Sequence, residues 1–217
     1  MSARRRPPAY PGPVAQGHYF EARPASRPRP RSLRVRLGDL EVELATDSGV
    51  FSAQRLDPGT AVLLEHLEPV PEGDLLDLGC GYGPLALALA RRRPDATVWA
   101  VDVNERALEL TRSNAGTLGL ANIRVARPDE VPGAVRFGGI YSNPPIRIGK
   151  AALHQLLVDW LDRLLPAGRA RLVVQKHLGS DSLARWLAEQ SFPTTRLTSV
   201  GGYRILEVGR RAAAEQH

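Results

Sequence analysis

Cysteine, lysine, methionine and aromatic residues are all scarce in this chain. A single cysteine, Cys80, leaves no intramolecular disulfide and no cysteine-based zinc site. No apolar run approaches the roughly 18 residues that a membrane span needs, which excludes a helical membrane protein. The basic opening, Met1-Ser2-Ala3-Arg4-Arg5-Arg6, is followed by prolines and not by an apolar stretch. It does not read as a secretory signal, so a cytoplasmic protein is the default expectation. No group of His, Asp and Glu has metal-ligand spacing, and no metal is expected. What remains is ordinary for a soluble chain: 217 residues, 43% hydrophobic and 24% charged. That suits one compact α/β domain with an appendage.

The net charge of +6 is unevenly divided. Residues 1–36 hold nine Arg and one acid, Glu21, while the remainder carries a net charge of −2. Lys150 and Lys176 are the only lysines. Residues 1–31 are also dense in proline, from Pro7 and Pro8 through Pro30, and cannot bury enough apolar surface to offset ordering. We expect a disordered basic extension at 1–31, a domain over 32–210 and a short tail at 211–217. A basic arm on a near-neutral body is one way to hold nucleic acid, and a solvated extension without function is the other reading.

From Leu33 the pattern becomes regular. Leu33, Val35 and Leu37, then Leu40, Val42 and Leu44, alternate around Gly38-Asp39, which predicts a β-hairpin over 32–45. Asp57-Pro58 predicts a helix start, with Ala61, Leu64 and Leu67 as its apolar face. A strand–helix alternation follows, with strands at 75–78, 97–101, 123–125, 139–141 and 171–175. Helices are expected at 84–92, 105–118, 151–165 and 182–189. Two last strands, at 196–199 and 203–208, are joined through Gly201-Gly202. The fold class is therefore α/β, a Rossmann-like, doubly wound, mostly parallel seven-stranded sheet closing in an antiparallel hairpin.

Asp77-Leu78-Gly79-Cys80-Gly81-Tyr82-Gly83 lies where the first strand of this series enters a helix. Glycines there let the backbone turn sharply and approach a ligand. Gly81-x-Gly83-x-x-Ala86 also matches the Ala-ended dinucleotide fingerprint. Asp102 ends the second strand, 21 residues beyond Gly81, where a carboxylate can accept two hydrogen bonds from a ribose diol. This suits NAD and S-adenosylmethionine equally. Asp77 favours the second, because a carboxylate at the turn repels a pyrophosphate but suits an ammonium and a sulfonium.

The segment 77–83 resembles motif I of class I S-adenosylmethionine-dependent methyltransferases. Asp129 resembles the acid that in many of these enzymes meets the adenine amino group. Ser142-Asn143-Pro144-Pro145-Ile146 resembles the Asn-Pro-Pro-aromatic motif of methyltransferases acting on planar nitrogens. An exocyclic or amide nitrogen is a poor nucleophile, because its lone pair is conjugated. Acceptors that hold its two hydrogens turn that lone pair toward a methyl group. The Asn143 side chain and the Pro144 carbonyl can supply them, and Pro144-Pro145 fixes the backbone. Two departures stand out. Ile146 occupies the aromatic position, which leaves Phe51 or Tyr82, beside Pro145 and Ile146, to meet the substrate. Gly138 stands where an Asp is usual and is expected to loosen the strand entrance.

Thr46 to Ser52, Leu56 to Thr60, 143–150 and even His18-Tyr19-Phe20 extend the resemblance to the "methyltransferase small" family over about residues 18–209. It implies Asp77, Gly79, Gly81, Asp102 and Asp129 as cofactor-binding residues for S-adenosyl-L-methionine. It implies Asn143 and Pro144 as the catalytic pair and a guanine amine in ribosomal RNA as acceptor, with RNA also held by the N-terminal extension. Three alternatives compete. The acceptor is a glutamine or small-molecule amine, the enzyme is an NAD-dependent oxidoreductase, or the chain is a non-catalytic RNA-binding module. Cys80, His154, Trp99, Trp160 and Trp186 read as packing or edge residues, and His177 as a candidate for the cleft.

Overall fold

The computed structural model describes residues 26–211. Two antiparallel strands, β1 (Pro30–Leu37) and β2 (Leu40–Asp47), form the expected hairpin around Gly38-Asp39. Val35, Leu37, Val42 and Leu44 are buried from it, and Asn114 ties it to the body. The Asn114 carboxamide accepts from the Ala45 amide at 2.8 Å and donates to the carbonyls of Ala45 and Tyr82.

The domain begins earlier than residue 32. Pro30 and Arg31 already pair with Asp47 and Thr46, and Arg106 holds the Ser26 carbonyl and hydroxyl. Residues 1–25 of the basic extension lie outside the described residues, as does the C-terminal tail beyond Arg211.

After the hairpin come α1 (Pro58–Glu65), β3 (Leu75–Leu78), α2 (Pro84–Arg92), β4 (Val98–Val101) and α3 (Glu105–Thr117). Then follow β5 (Ile123–Ala126), β6 (Phe137–Ser142), α4 (Lys150–Leu161), β7 (Leu164–Gln175), α5 (Ser180–Glu189), β8 (Thr194–Val200) and β9 (Tyr203–Gly209). The seven-stranded sheet runs β5-β4-β3-β6-β7-β9-β8. Strands β3 to β7 are parallel, and β9 runs antiparallel between β7 and β8. Alternation along the strands serves two cores. Leu75, Val98, Val173 and Ile205 pack with the hairpin and α1 to α3; Leu76, Trp99, Leu172 and Leu206 pack with α4 and α5.

Three local expectations change. Helix α1 buries Val62, Leu63 and Leu64, and Ala61 is only half-buried. Helix α4 ends at Leu161, and Leu164 begins β7 opposite Phe137. Pro166 disfavours helix at the residue before it, so the leucine spacing runs on past the helix. Gly138 tightens the entrance to β6 where loosening was expected. Its amide donates to the Asp74 carbonyl at 2.8 Å, and a Cβ there would lie 1.6 Å from the Glu72 carbonyl oxygen.

Candidate active site

The strand order reverses between β3 and β6, and a crevice at the carboxyl ends of parallel strands is widest at such a point. The glycine turn follows β3 and Asn143 follows β6, so both flank it. A cavity of about 580 Å³ opens here. Its wall includes Gly79, Gly81, Asp102, Asn143, Pro144 and Tyr203. A smaller one of about 30 Å³ adjoins it beside Cys80 and Tyr82.

The turn is a cradle. Gly79 and Gly81 have φ of +78° and +58°, and a Cβ on either would meet nothing within 4 Å. The space beside them is open for close approach to the backbone, and left-handed backbone is what glycine adopts without cost. Gly83, by contrast, packs against Thr111 and starts α2.

Asp102 shapes the turn from the side. Its Oδ2 accepts from the Gly81 amide and its Oδ1 from the Asn104 amide, both at 2.9 Å. Burial raises its carboxyl above the usual range, against three backbone donors that lower it. It lines the large cavity and keeps lone pairs beyond those two bonds.

Asp77 lies behind the turn and lines neither cavity. Its Oδ2 accepts from the Ala86 amide at 2.9 Å, while its Oδ1 is buried without a partner among the described residues. Burial pushes it up to about 7, and Asp102 adds to the rise. Two carboxylates under one turn favour a cationic ligand and oppose a pyrophosphate. The bond from the Ala86 amide ties Asp77 to the first turn of α2. The cradle, the orphaned acceptor and Asp102 together fit S-adenosylmethionine.

Asn143 is pinned at one end. Its Nδ2 donates to Asp57 Oδ1 at 2.7 Å and to Thr60 Oγ1 at 3.1 Å, which uses both hydrogens. Oδ1 has no donor among the described residues and belongs to a residue lining the cavity. The Pro144 carbonyl is partly used, because it accepts from the Ile146 amide at 2.8 Å. That bond closes an inverse γ-turn on Pro145, with φ −74° and ψ 75°, and leaves one carbonyl lone pair. Pro145 and Ile146 form the adjoining wall.

Other expected residues divide. Phe51 lines the large cavity with 47% of its surface exposed. Tyr82 is buried, touches only the small cavity, and keeps an unpartnered hydroxyl whose acidity burial and Asp57 suppress. It offers no face for stacking. Asp129 is exposed, pairs with Arg127, and does not line the cavity; its neighbour Pro128 does. Cys80 is buried against Thr111 with its thiol pushed up, as a packing residue would be. His154 stacks on Trp186, and His177 is exposed beside the cavity lining. Among the described residues no cluster could hold a metal ion.

Asp57 and Tyr203 enter unannounced. Asp57 reads in sequence as a helix cap, which it is, accepting from the Thr60 amide at 3.0 Å. The same oxygen also orients Asn143. Tyr203 pairs with Gln175, so the antiparallel return brings its ring to the carboxyl edge of the sheet. The ring rests on Gly59, where a Cβ would lie 2.9 Å from it. An aromatic opening a final strand after Gly201-Gly202 was the available signal.

Comparison with known proteins agrees with this geometry. The family described as the methyltransferase small domain matches residues 41–207. YbxB of Bacillus subtilis is 35% identical over 194 residues, covering 88% of this chain and 96% of its own length. Ribosomal RNA small subunit methyltransferase C of Pseudomonas aeruginosa (strain LESB58) is 36% identical over 179 residues, 80% of this chain. The chain spans 53% of that relative's length. Among solved structures, the T. thermophilus 16S rRNA N2 methyltransferase in complex with AdoMet and guanosine superposes with a TM-score of 0.71 at 29% identity. That match covers 84% of this chain and 51% of the other. The oxidoreductase reading of the glycine turn falls with these matches. The chain belongs to the methyltransferase small domain family and is an S-adenosylmethionine-dependent methyltransferase.

Proposed function

We propose that this enzyme methylates the exocyclic amine of a guanine in ribosomal RNA. One observation carries the reading: the Asn143 amide is held by its nitrogen, so its oxygen is the end available at the cavity. An acceptor is what a conjugated amine needs, because holding its hydrogens rotates the lone pair out of conjugation. The free lone pair of the Pro144 carbonyl is the second acceptor. Phe51 and Tyr203 supply aromatic faces in place of the missing one at Ile146.

Bound S-adenosylmethionine supplies an electrophilic methyl group on a sulfonium centre. Gly79, Gly81 and Asp102 hold it, and its positive charge favours the ionised form of Asp77 behind the turn. Charge is dispersed during transfer, so most of the rate comes from holding amine and methyl in near-attack geometry. Asp57 already accepts two hydrogen bonds and serves orientation. The amine acidifies as it is alkylated, and its proton leaves to water. The nine arginines of residues 1–36 add phosphate contacts, those at 1–25 from outside the described residues.

The 16S rRNA N2 methyltransferase and ribosomal RNA methyltransferase C relatives support RNA as the acceptor. Ile146, apolar and non-aromatic, is what a glutamine or small-amine acceptor would favour. The test is transfer of labelled methyl to ribosomal RNA from a strain deleted for this gene, followed by digestion to nucleosides. Label is expected in N2-methylguanosine. Label in protein glutamine, or in none of the nucleosides, would overturn the proposal.

A further inference from the structure

The mouth of the cavity carries cations that the fold does not use. Arg55, Arg147, Lys150 and Lys176 are all exposed, and none has a carboxylate within salt-bridge distance among the described residues. Arg147 lines the cavity, Arg55 adjoins the lining residues Leu56 and Asp57, and Lys176 lies between the lining residues Gln175 and Leu178. Lys150 opens α4, three residues beyond Arg147. Some arginines elsewhere are matched by acids, as in Arg91 with Asp39 and Arg127 with Glu105, while others, such as Arg112 and Arg185, are exposed without one among the described residues.

Lys150 is also poorly placed for stability, since a cation at a helix N-terminus opposes the macrodipole. Both lysines of the chain fall on this rim, although arginine is the usual cation throughout. The two acids that line the large cavity, Asp57 and Asp102, are occupied by protein donors. The body beyond residue 36 is net negative, yet these four cations stand beside the cavity without an acid partner among the described residues. The cavity lining also carries exposed apolar faces, Phe51 at 47% and Leu178 at 46%.

Cations together with exposed apolar faces suit an unpaired nucleic-acid strand, which offers phosphates and base faces side by side. We infer that this rim docks a single-stranded RNA segment, with Arg55, Arg147, Lys150 and Lys176 on phosphates and Phe51 and Leu178 under the bases flanking the target. The inference rests on the RNA reading above and deepens it. It gives the body its own RNA surface, separate from the arginine-rich extension.

The test compares the full-length protein with its Lys150→Gln/Lys176→Gln double variant. The probe is a short unstructured RNA oligonucleotide, titrated over a range of salt, with a duplex of the same composition as competitor. The variant is expected to keep its affinity for S-adenosylhomocysteine, to melt no lower than the wild type, and to bind RNA roughly tenfold more weakly. Its salt dependence should be shallower by about 1.4 in log–log slope, the value for two lost phosphate contacts on a single strand. Equal RNA affinity and slope in both proteins would overturn the rim while leaving the methyltransferase reading in place. Duplex competing as well as single strand would overturn the commitment to unpaired RNA. A wild-type protein that binds S-adenosylhomocysteine but no RNA would overturn the rim and the RNA acceptor together.

Discussion

An asparagine amide can present an oxygen or an NH2 group to a cavity, and only the oxygen can hold an amine's hydrogens. Asp57 and Thr60 decide the matter for Asn143 by accepting from its nitrogen. Asp57→Ala therefore removes two things. It costs α1 its cap, about 1 kcal/mol, and it lets the Asn143 amide rotate. Single-turnover transfer is expected to fall about tenfold or more, with unchanged cofactor affinity, at temperatures where the variant remains folded. A lowered melting temperature with full transfer would make Asp57 a cap and nothing else. Asp77 offers a test by pH. Burial keeps it protonated in the folded protein up to about pH 7, while in the unfolded chain it ionises near pH 4. The folded state holds that proton more tightly, so stability falls as pH rises from about 4 to about 7 and is level above. Asp77→Asn keeps an acceptor for the Ala86 amide and is expected to abolish this fall. It should be the more stable protein near pH 8 without ligand, by on the order of a few kcal/mol. Denaturant melts of both proteins near pH 5 and pH 8 would check it. Equal losses in the two would exonerate Asp77.

At the scale of elements, two glycines separate ligand binding from folding. A Cβ on Gly81 would meet nothing within 4 Å, and one on Gly138 would meet the Glu72 carbonyl. Gly81→Ala should cost the fold roughly 1–2 kcal/mol for a left-handed residue and weaken S-adenosylhomocysteine binding clearly. Gly138→Ala should lower stability by about 1–3 kcal/mol through overpacking at the β6 entrance, with cofactor affinity kept in the folded fraction. Melts paired with calorimetry would distinguish them, and the reverse pattern would refute the assignment. Strand β3 and helix α2 are legible to the residue, because a buried four-residue run, a glycine turn and Pro84 mark every boundary. The α4–β7 junction is not, since the leucine spacing continues through Leu164 while Pro166 acts on the backbone. Gly79, Gly81, Asp102 and Asn143 are legible as cavity residues because each follows a strand end. The bond from Asn143 to Asp57 joins residues 86 apart, and no local pattern encodes it. Asp129 follows β5 as the sequence places it, but its side chain pairs with Arg127 and does not line the cavity.

In the whole molecule, the hairpin and α1 to α3 cover one face of the sheet, α4 and α5 the other, and the reversal between β3 and β6 leaves one edge open. Everything chemical gathers at that edge. The glycine turn arrives from β3, the acceptor amide from β6, Tyr203 from β9, and the orienting acid from the start of α1. The chain spans nearly the full length of YbxB but about half of the larger ribosomal RNA methyltransferases, 53% in one case. The central claim is that this edge methylates a planar amine held by the Asn143 oxygen. It is tested most directly by single-turnover transfer from labelled S-adenosylmethionine to ribosomal RNA, wild type against Asn143→Ala, with S-adenosylhomocysteine affinity measured on both. Transfer is expected to slow by roughly 10²–10³-fold, the scale of losing one preorganised polar contact, while affinity stays as it was. Asn143→Asp, which keeps an acceptor oxygen, should retain part of the rate. Near-wild-type transfer by Asn143→Ala would reduce the Asn-Pro-Pro segment to a rigid loop and contradict planar-nitrogen methylation at this site.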